Sequence, residues 1–278
     1  MCRWLAYSGT PILLEELLYK PQHSLIDQSM HARMGVETTN GDGFGMGWYG
    51  TNGGRGPTLY RGVDPAWGDV NLRELAASVT SPLFLAHLRA STGTAVQRTN
   101  CHPFRYGEWL WVHNGAISEF AKVKRDLVFA VDAALYPSLA GSTDSEVMFF
   151  LALTFGLRDD PVAAVERMVG YVESVGRAHD VRYPIQMTVA TTDGDRVWGF
   201  RYSSEGRSRT LYVSSAISAL RALYPDNPTF HRVSDETRII VSEPLGELKG
   251  AWQPVPESSY GVVQKGADLL ADFHPRMP

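Results

Sequence analysis

The order in which apolar runs and helical patterns follow one another along these 278 residues restricts the fold more than any single motif. The first third alternates. Cys2 to Ser8 is a short apolar strand, Leu13 to Leu18 has helical spacing, and Gly45 to Tyr49 reads as a buried strand whose glycines allow close backbone approach. Leu83 to Leu88 and Trp109 to His113 are two more apolar strands, the second closed by Asn114-Gly115. A helical block follows. One helix is predicted from about Glu119 to Tyr136, ending near Pro137. A second starts after Ser142-Thr143-Asp144, with Asp144 or a neighbour as N-cap, and a third covers Pro161 to Val175. From Ile185 strands return: Gln186 to Thr192, a turn at 193–195, Arg196 to Tyr202, Thr210 to Ser214 and Arg238 to Ser242. Strands, helices and strands again point to two sheets enclosed by helices, an α+β layered fold. Residues 1–278 read as one domain, and the glycine-rich loop from Gly50 to Gly56 is a turn between strands rather than a linker.

Composition bounds the class of function. A chain of this length with 44% hydrophobic and 20% charged residues can bury a sizeable core. A net charge of −4 gives no electrostatic reason for a nucleic-acid or anionic-membrane partner, and no apolar run approaches a membrane span. The N-terminal stretch lacks the features of a secretory signal, so a cytoplasmic location is expected. Cys2 and Cys101 make no disulfide framework, and no CxxC, HxxxH or HExxH spacing occurs. Neither a metal nor a cofactor is expected.

Cys2 stands behind an initiator Met whose removal would leave it with a free α-amine. That amine titrates near neutrality, so one residue then offers both a nucleophilic thiol and a base. Alone this is a weak signal, because a cysteine is as often a small buried hydrophobe. Arg89, in His87-Leu88-Arg89-Ala90-Ser91-Thr92-Gly93, sits where an apolar strand gives way to a loop and can grip a carboxylate with two prongs; a surface ion pair explains an isolated Arg equally well. Asn114 and Gly115 can aim an amide and a backbone N–H at one developing oxyanion, although Asn-Gly alone reads as a tight turn. Asp144 can bind an ammonium group or simply cap its helix. The glycines at 41, 43, 45 and 47 match neither a P-loop nor GxGxxG, and close packing against a strand accounts for them better.

Taken in order, Met1-Cys2-Arg3, Gly41-Asp42-Gly43-Phe44-Gly45, Ala86 to Gly93, Asn100-Cys101-His102-Pro103-Phe104, His113-Asn114-Gly115 and Thr143-Asp144-Ser145-Glu146 resemble the glutaminase domain of class II glutamine amidotransferases, members of the N-terminal nucleophile hydrolase superfamily. Val241-Ser242-Glu243-Pro244 and Trp252 to Pro256 look like that family's closing strands, so the resemblance spans nearly the whole chain. It implies a four-layer α-β-β-α sandwich with Cys2 as nucleophile. It further implies Asn114 and Gly115 as the oxyanion hole, Arg89 on the substrate α-carboxylate and Asp144 on the α-ammonium, with His87 among the substrate-binding residues. The opening MCRWLAY, the segment PQHSLIDQS at 21–29 and YRGVDPAWGD at 60–69 look like a stand-alone subgroup that includes γ-glutamyl hydrolases. Cys101 departs from the small apolar residue common before His-Pro; packing explains it better than a redox role.

The expected reaction is cleavage of the γ-amide of a small-molecule glutamine or γ-glutamyl substrate through a γ-glutamyl thioester on Cys2, releasing glutamate and ammonia or an amine. The amine is either released or, in the rival reading, ammonia passes to a separate synthase or peptidase subunit. A non-catalytic glutamine sensor, keeping Arg89 and Asp144 but needing no reactive thiol, ranks below both. A redox protein using Cys2 and Cys101 ranks last.

Overall fold

In a computed structural model of the chain, residues 2–34, 39–51, 56–91 and 93–278 are described. Met1, whose removal the sequence leads one to expect, lies outside them, as do residues 52–55 of the glycine-rich loop and Thr92 of the motif after Leu88. The chain opens with β1 (Arg3–Leu13), α1 (Glu15–Leu18), α2 (Leu25–Met30), β2 (Phe44–Trp48), β3 (Thr58–Gly62), α3 (Val70–Ser78) and β4 (Thr80–Leu88). Next come β5 (Phe104–Tyr106), β6 (Trp109–Ile117), α4 (Phe120–Phe129), α5 (Asp144–Thr154) and α6 (Pro161–Ala178). The last third holds β7 (Ile185–Thr192), β8 (Val197–Ser203), β9 (Tyr212–Ser214), α7 (Ile217–Leu223) and α8 (Pro228–Arg232). It closes with β10 (Arg238–Val241), β11 (Trp252–Pro254), β12 (Ser259–Val263) and β13 (Leu269–Asp272).

The strands form two antiparallel sheets, ordered β11-β9-β10-β1-β4-β2-β3 and β13-β12-β8-β7-β6-β5. Side-chain alternation along each strand builds the layers. On β1, Trp4 and Ala6 face the gap between the sheets, while Leu5 and Tyr7 face outward onto α1, α2 and α3. On β6, Leu110 and Val112 meet Trp4 in the gap, whereas Trp109 and Trp111 face α5 and its neighbours. Three apolar clusters between four layers make an α-β-β-α sandwich, as the sequence implied. Helix α5 is buried along its length from Ser145 to Leu153, so it needs no polar face. Its N-cap is Thr143, whose side chain accepts from Glu146 N at 3.2 Å. Among the described residues no helix is long and apolar enough to cross a membrane.

Two expectations need correction. The strand at Trp109 does not stop at Asn114-Gly115: β6 continues to Ile117, pairing Asn114 with Thr188 and Gly115 with Met187. A side chain at 115 would put its Cβ 1.9 Å from Gln186 O, and φ there is +140°, so glycine serves strand packing rather than a turn. The helix predicted to reach Tyr136 ends at Phe129. Thr154 Oγ1 captures Asp132 N and Asp132 Oδ1 captures Ala134 N, pulling the backbone out of helical bonding.

Candidate functional site

Strand register brings the first site residues together. In the β1–β4 ladder Arg3 pairs with Leu88, so one step further Cys2 faces Arg89. Cys2 shares the parity of Trp4 and points into the gap between the sheets. Its Sγ lies 3.4 Å from Ala90 N, which donates to it, and 3.4 Å from Ala90 O. From the other sheet Asn114 reaches across, its Nδ2 donating to the Cys2 carbonyl oxygen at 2.8 Å. That amide has a second N–H, leaving a donor beside the nucleophile.

Arg89 is buried, but its partners among the described residues are uncharged. The guanidinium donates to the carbonyl oxygens of Asp42 (3.2 Å) and Ala95 (3.1 Å) and to the hydroxyls of Ser91 (3.1 Å) and Thr94 (2.7 Å). The loop is tied back by Arg89 N to Gly43 O and by Ser91 N to Asp42 Oδ2. A buried cation held only by neutral acceptors can take a substrate carboxylate as its counter-ion.

Asp144 occupies the first position of α5, where a carboxylate suits the helix dipole. Its Oδ2 accepts from Ile117 N (2.8 Å), fastening the helix start to the end of β6, and Oδ1 accepts from Ser145 N. His113 Nδ1 meets Ser145 Oγ at 2.7 Å, a second tie between β6 and α5. Asn100, fully buried, links the Arg89 loop to the start of α5. Its Nδ2 donates to Ala95 O, which Arg89 also uses, and its Oδ1 accepts from Ser142 N two residues before Asp144. Asn100 belonged to a quoted motif, but nothing local marked it as a bridge.

Burial pushes the Cys2 thiol above its usual pKa, while the Ala90 N–H and the Arg89 charge pull it down and Asp144 pushes it up. His87, expected among the substrate-binding residues, lies beneath the site against two other histidines. It is buried, its Nε2 lies 3.3 Å from His113 O, and its ring stacks on His102 with centroids 4.1 Å apart. Burial holds His87 down to about 3 and lowers His113; for His102, burial and the neighbouring His87, His113 and Arg89 keep it well below the usual range. All three imidazoles are therefore neutral near pH 7. His87 Nδ1, both nitrogens of His102 and Asn114 Oδ1 are buried without a hydrogen-bond partner. Cys101 is fully buried, its Sγ 3.3 Å from Gly62 O, in keeping with a packing role.

Cavity size alone would point elsewhere. An apolar groove of about 540 Å³, lined by Leu17, Ile217, Phe230, Leu245 and Trp252, includes none of these groups. Nor does a polar cavity of about 350 Å³ at the opposite end of β1, between Ser8, Thr10 and Lys265. Among the described residues no group of three or more His, Cys, Asp or Glu side chains is arranged to hold a metal ion.

Known proteins resemble this chain over most of its length. The family model described as glutamine amidotransferases class-II matches residues 20–204. A Saccharomyces cerevisiae protein described as "Probable glutamine amidotransferase DUG3" is 33% identical over 302 residues, covering 97% of this chain and 84% of its own. The gamma-glutamyl-hercynylcysteine sulfoxide hydrolase of Mycolicibacterium smegmatis is 30% identical over 199 residues, 70% of this chain and 80% of that one. Among solved structures, a glutamine aminotransferase class-II domain protein from Silicibacter pomeroyi superposes with a TM-score of 0.75 at 30% identity, covering 99% of this chain and all of that one. The glutamine phosphoribosylpyrophosphate amidotransferase of Bacillus subtilis, at 12% identity and a TM-score of 0.66, matches 99% of this chain with 50% of its own length, a likeness of fold.

Proposed function

This chain belongs to the class-II glutamine amidotransferases, and we propose that residues 1–278 form one catalytic domain that cleaves the γ-amide of glutamine or a γ-glutamyl compound through Cys2. The observation that carries this reading is the meeting of Cys2 Sγ, the carboxylate-free guanidinium of Arg89 and the Asn114 amide at one end of both sheets.

In the proposed sequence Arg89 holds the substrate α-carboxylate and Asp144 the α-ammonium. The Cys2 sulfur attacks the γ-carbonyl carbon, and its proton passes to the Cys2 α-amine, which is free once the Met1–Cys2 bond is cut. The free N–H of Asn114 and the Gly115 N–H receive the oxyanion. The C–N bond then breaks, the leaving amine takes the proton, and a γ-glutamyl thioester remains. Water cleaves the thioester to give glutamate and the free thiol. The hydrolase among the relatives favours release of the amine over its transfer to a separate subunit.

Intact-mass analysis of untagged protein, followed by assays of glutamine, glutathione and other γ-glutamyl amides, tests the reading. A form lacking Met1 should turn over a γ-glutamyl amide, and Cys2→Ala should abolish turnover. Full activity in Cys2→Ala would sink the mechanism.

A further inference from the structure

Three stretches singled out in the sequence have no part in the chemistry above: Arg3, the segment 21–29 and Val241 to Pro244. The fold brings them together on the outer face of β1. In the β1–β10 ladder Leu5 pairs with Val241, so two steps further Arg3 faces Glu243. The Glu243 carboxylate is almost wholly buried and accepts from Arg3 Nε (2.8 Å), Arg33 N (2.9 Å) and Met34 N (3.0 Å), with His23 Nε2 at 2.5 Å. Burial by itself would raise its pKa; the His23, Arg33 and Met34 hydrogen bonds and the Arg3 charge together hold it below the usual carboxylate range. His23 is braced in turn by Asp27 at 2.9 Å, and Gln28 Nε2 donates to the His23 carbonyl.

Among the described residues the guanidinium of Arg3 reaches acceptors in three different directions. Nε goes to Glu243, Nη1 to the carbonyl oxygen of Cys2 (3.0 Å) and Nη2 to the carbonyl oxygen of Met34. Cys2 lies before the first paired residue of β1, so the sheet ladder does not hold its carbonyl. Two side chains do, Arg3 from one face of the sheet and Asn114 from the other. A chain start without such ties frays.

We propose that Glu243 is a positioning residue for catalysis, acting through Arg3 to fix the Cys2 peptide carbonyl and so hold the thiol on Ala90 N–H. This rests on Cys2 being the nucleophile. Arginine is required in the middle because only a planar fork reaches all three acceptors. Glutamate is required behind it because a desolvated guanidinium needs a buried counter-ion. Arg89 and Asp144 share no hydrogen bond with Glu243, so substrate recognition is independent of it.

The test uses the full-length, Met1-free enzyme as wild type, Glu243→Gln and Arg3→Lys, with glutamine or the best γ-glutamyl amide as substrate. Activity is normalised to the folded fraction, counted by mass spectrometry as chains alkylated by iodoacetamide at Cys2 but not at the buried Cys101. The expected result is a fall in kcat of about 10- to 100-fold, the scale of a misplacement near 1 Å, with KM within about threefold and slower Cys2 alkylation. Arg3→Lys keeps the ion pair but not the fork, so it should show the same kcat loss and decides the matter if Glu243→Gln does not fold. Wild-type kcat per titrated Cys2 in either folded variant overturns the proposal, as does a change confined to KM. A wild-type enzyme with no γ-glutamyl turnover would instead overturn the role of Cys2.

Discussion

Arg3 and Arg89 lie one register step apart across β1 and β4, both buried, with 2% and 4% of their surface exposed. They solve the problem of a buried cation in opposite ways. Arg3 has a carboxylate from its own chain, Glu243, and it also holds backbone carbonyls. Among the described residues Arg89 meets carbonyls and hydroxyls and no carboxylate, which in the proposed function leaves its charge for a ligand. Burial does not separate these two arginines; the source of the counter-ion does.

Substitutions can break this contrast. The largest effect is expected from Arg3→Met, which strands a buried carboxylate: a loss of about 3–5 kcal/mol in stability, read as a lower midpoint in urea. An unchanged midpoint would mean that His23 and the backbone N–H groups satisfy Glu243 unaided. Arg89→Met should cost less stability than Arg3→Met, and should weaken substrate binding by about 1.5–3 kcal/mol, a KM raised some 10- to 100-fold. If KM stays put while the protein melts early, Arg89 is structural after all.

The neutral histidines behind Arg89 sharpen the contrast with pH. An unfolded chain takes up a proton on each histidine near pH 6.5, whereas the folded imidazoles, His87 at about 3, do not. The His87 contribution to stability is therefore fully present above pH 6.5 and is lost as pH falls toward 3. Its slope is about 1.4 kcal/mol per pH unit, measurable by urea titration at stepped pH. Replacing His87 with Phe should remove one histidine's share. The smallest effect is expected at His102: with both ring nitrogens unpartnered, His102→Phe should change stability by less than about 1 kcal/mol, and an unfolded variant would reveal a hidden partner.

Much of this site can be read from the sequence because its residues sit at the ends of strongly patterned strands. The parity of Cys2 with Trp4 and Ala6, and of Asn114 with Leu110 and Val112, already sends both side chains into one gap. Asn114-Gly115 was harder: the local preference for a turn competes with a ladder to β7, and only the approach of Gln186 O shows why glycine is needed. The Asp132 and Thr154 bonds that end α4 early are likewise contacts made on folding. Helix α2 and the short strands β5 and β13 were not anticipated, because three to six residues carry too little periodicity. Least legible was the Glu243 hub, whose partners at positions 3, 23 and 33–34 are joined by strand register and not by spacing.

Helix α5 carries a consequence in time rather than space. Its side chains are buried from Ser145 to Leu153, so it has no route to local melting short of opening the main core. Asp144 rides on its first turn and is latched to Ile117 N. The Asp144 carboxylate thus inherits the lifetime of the whole fold, and slow amide exchange along α5 would be its signature.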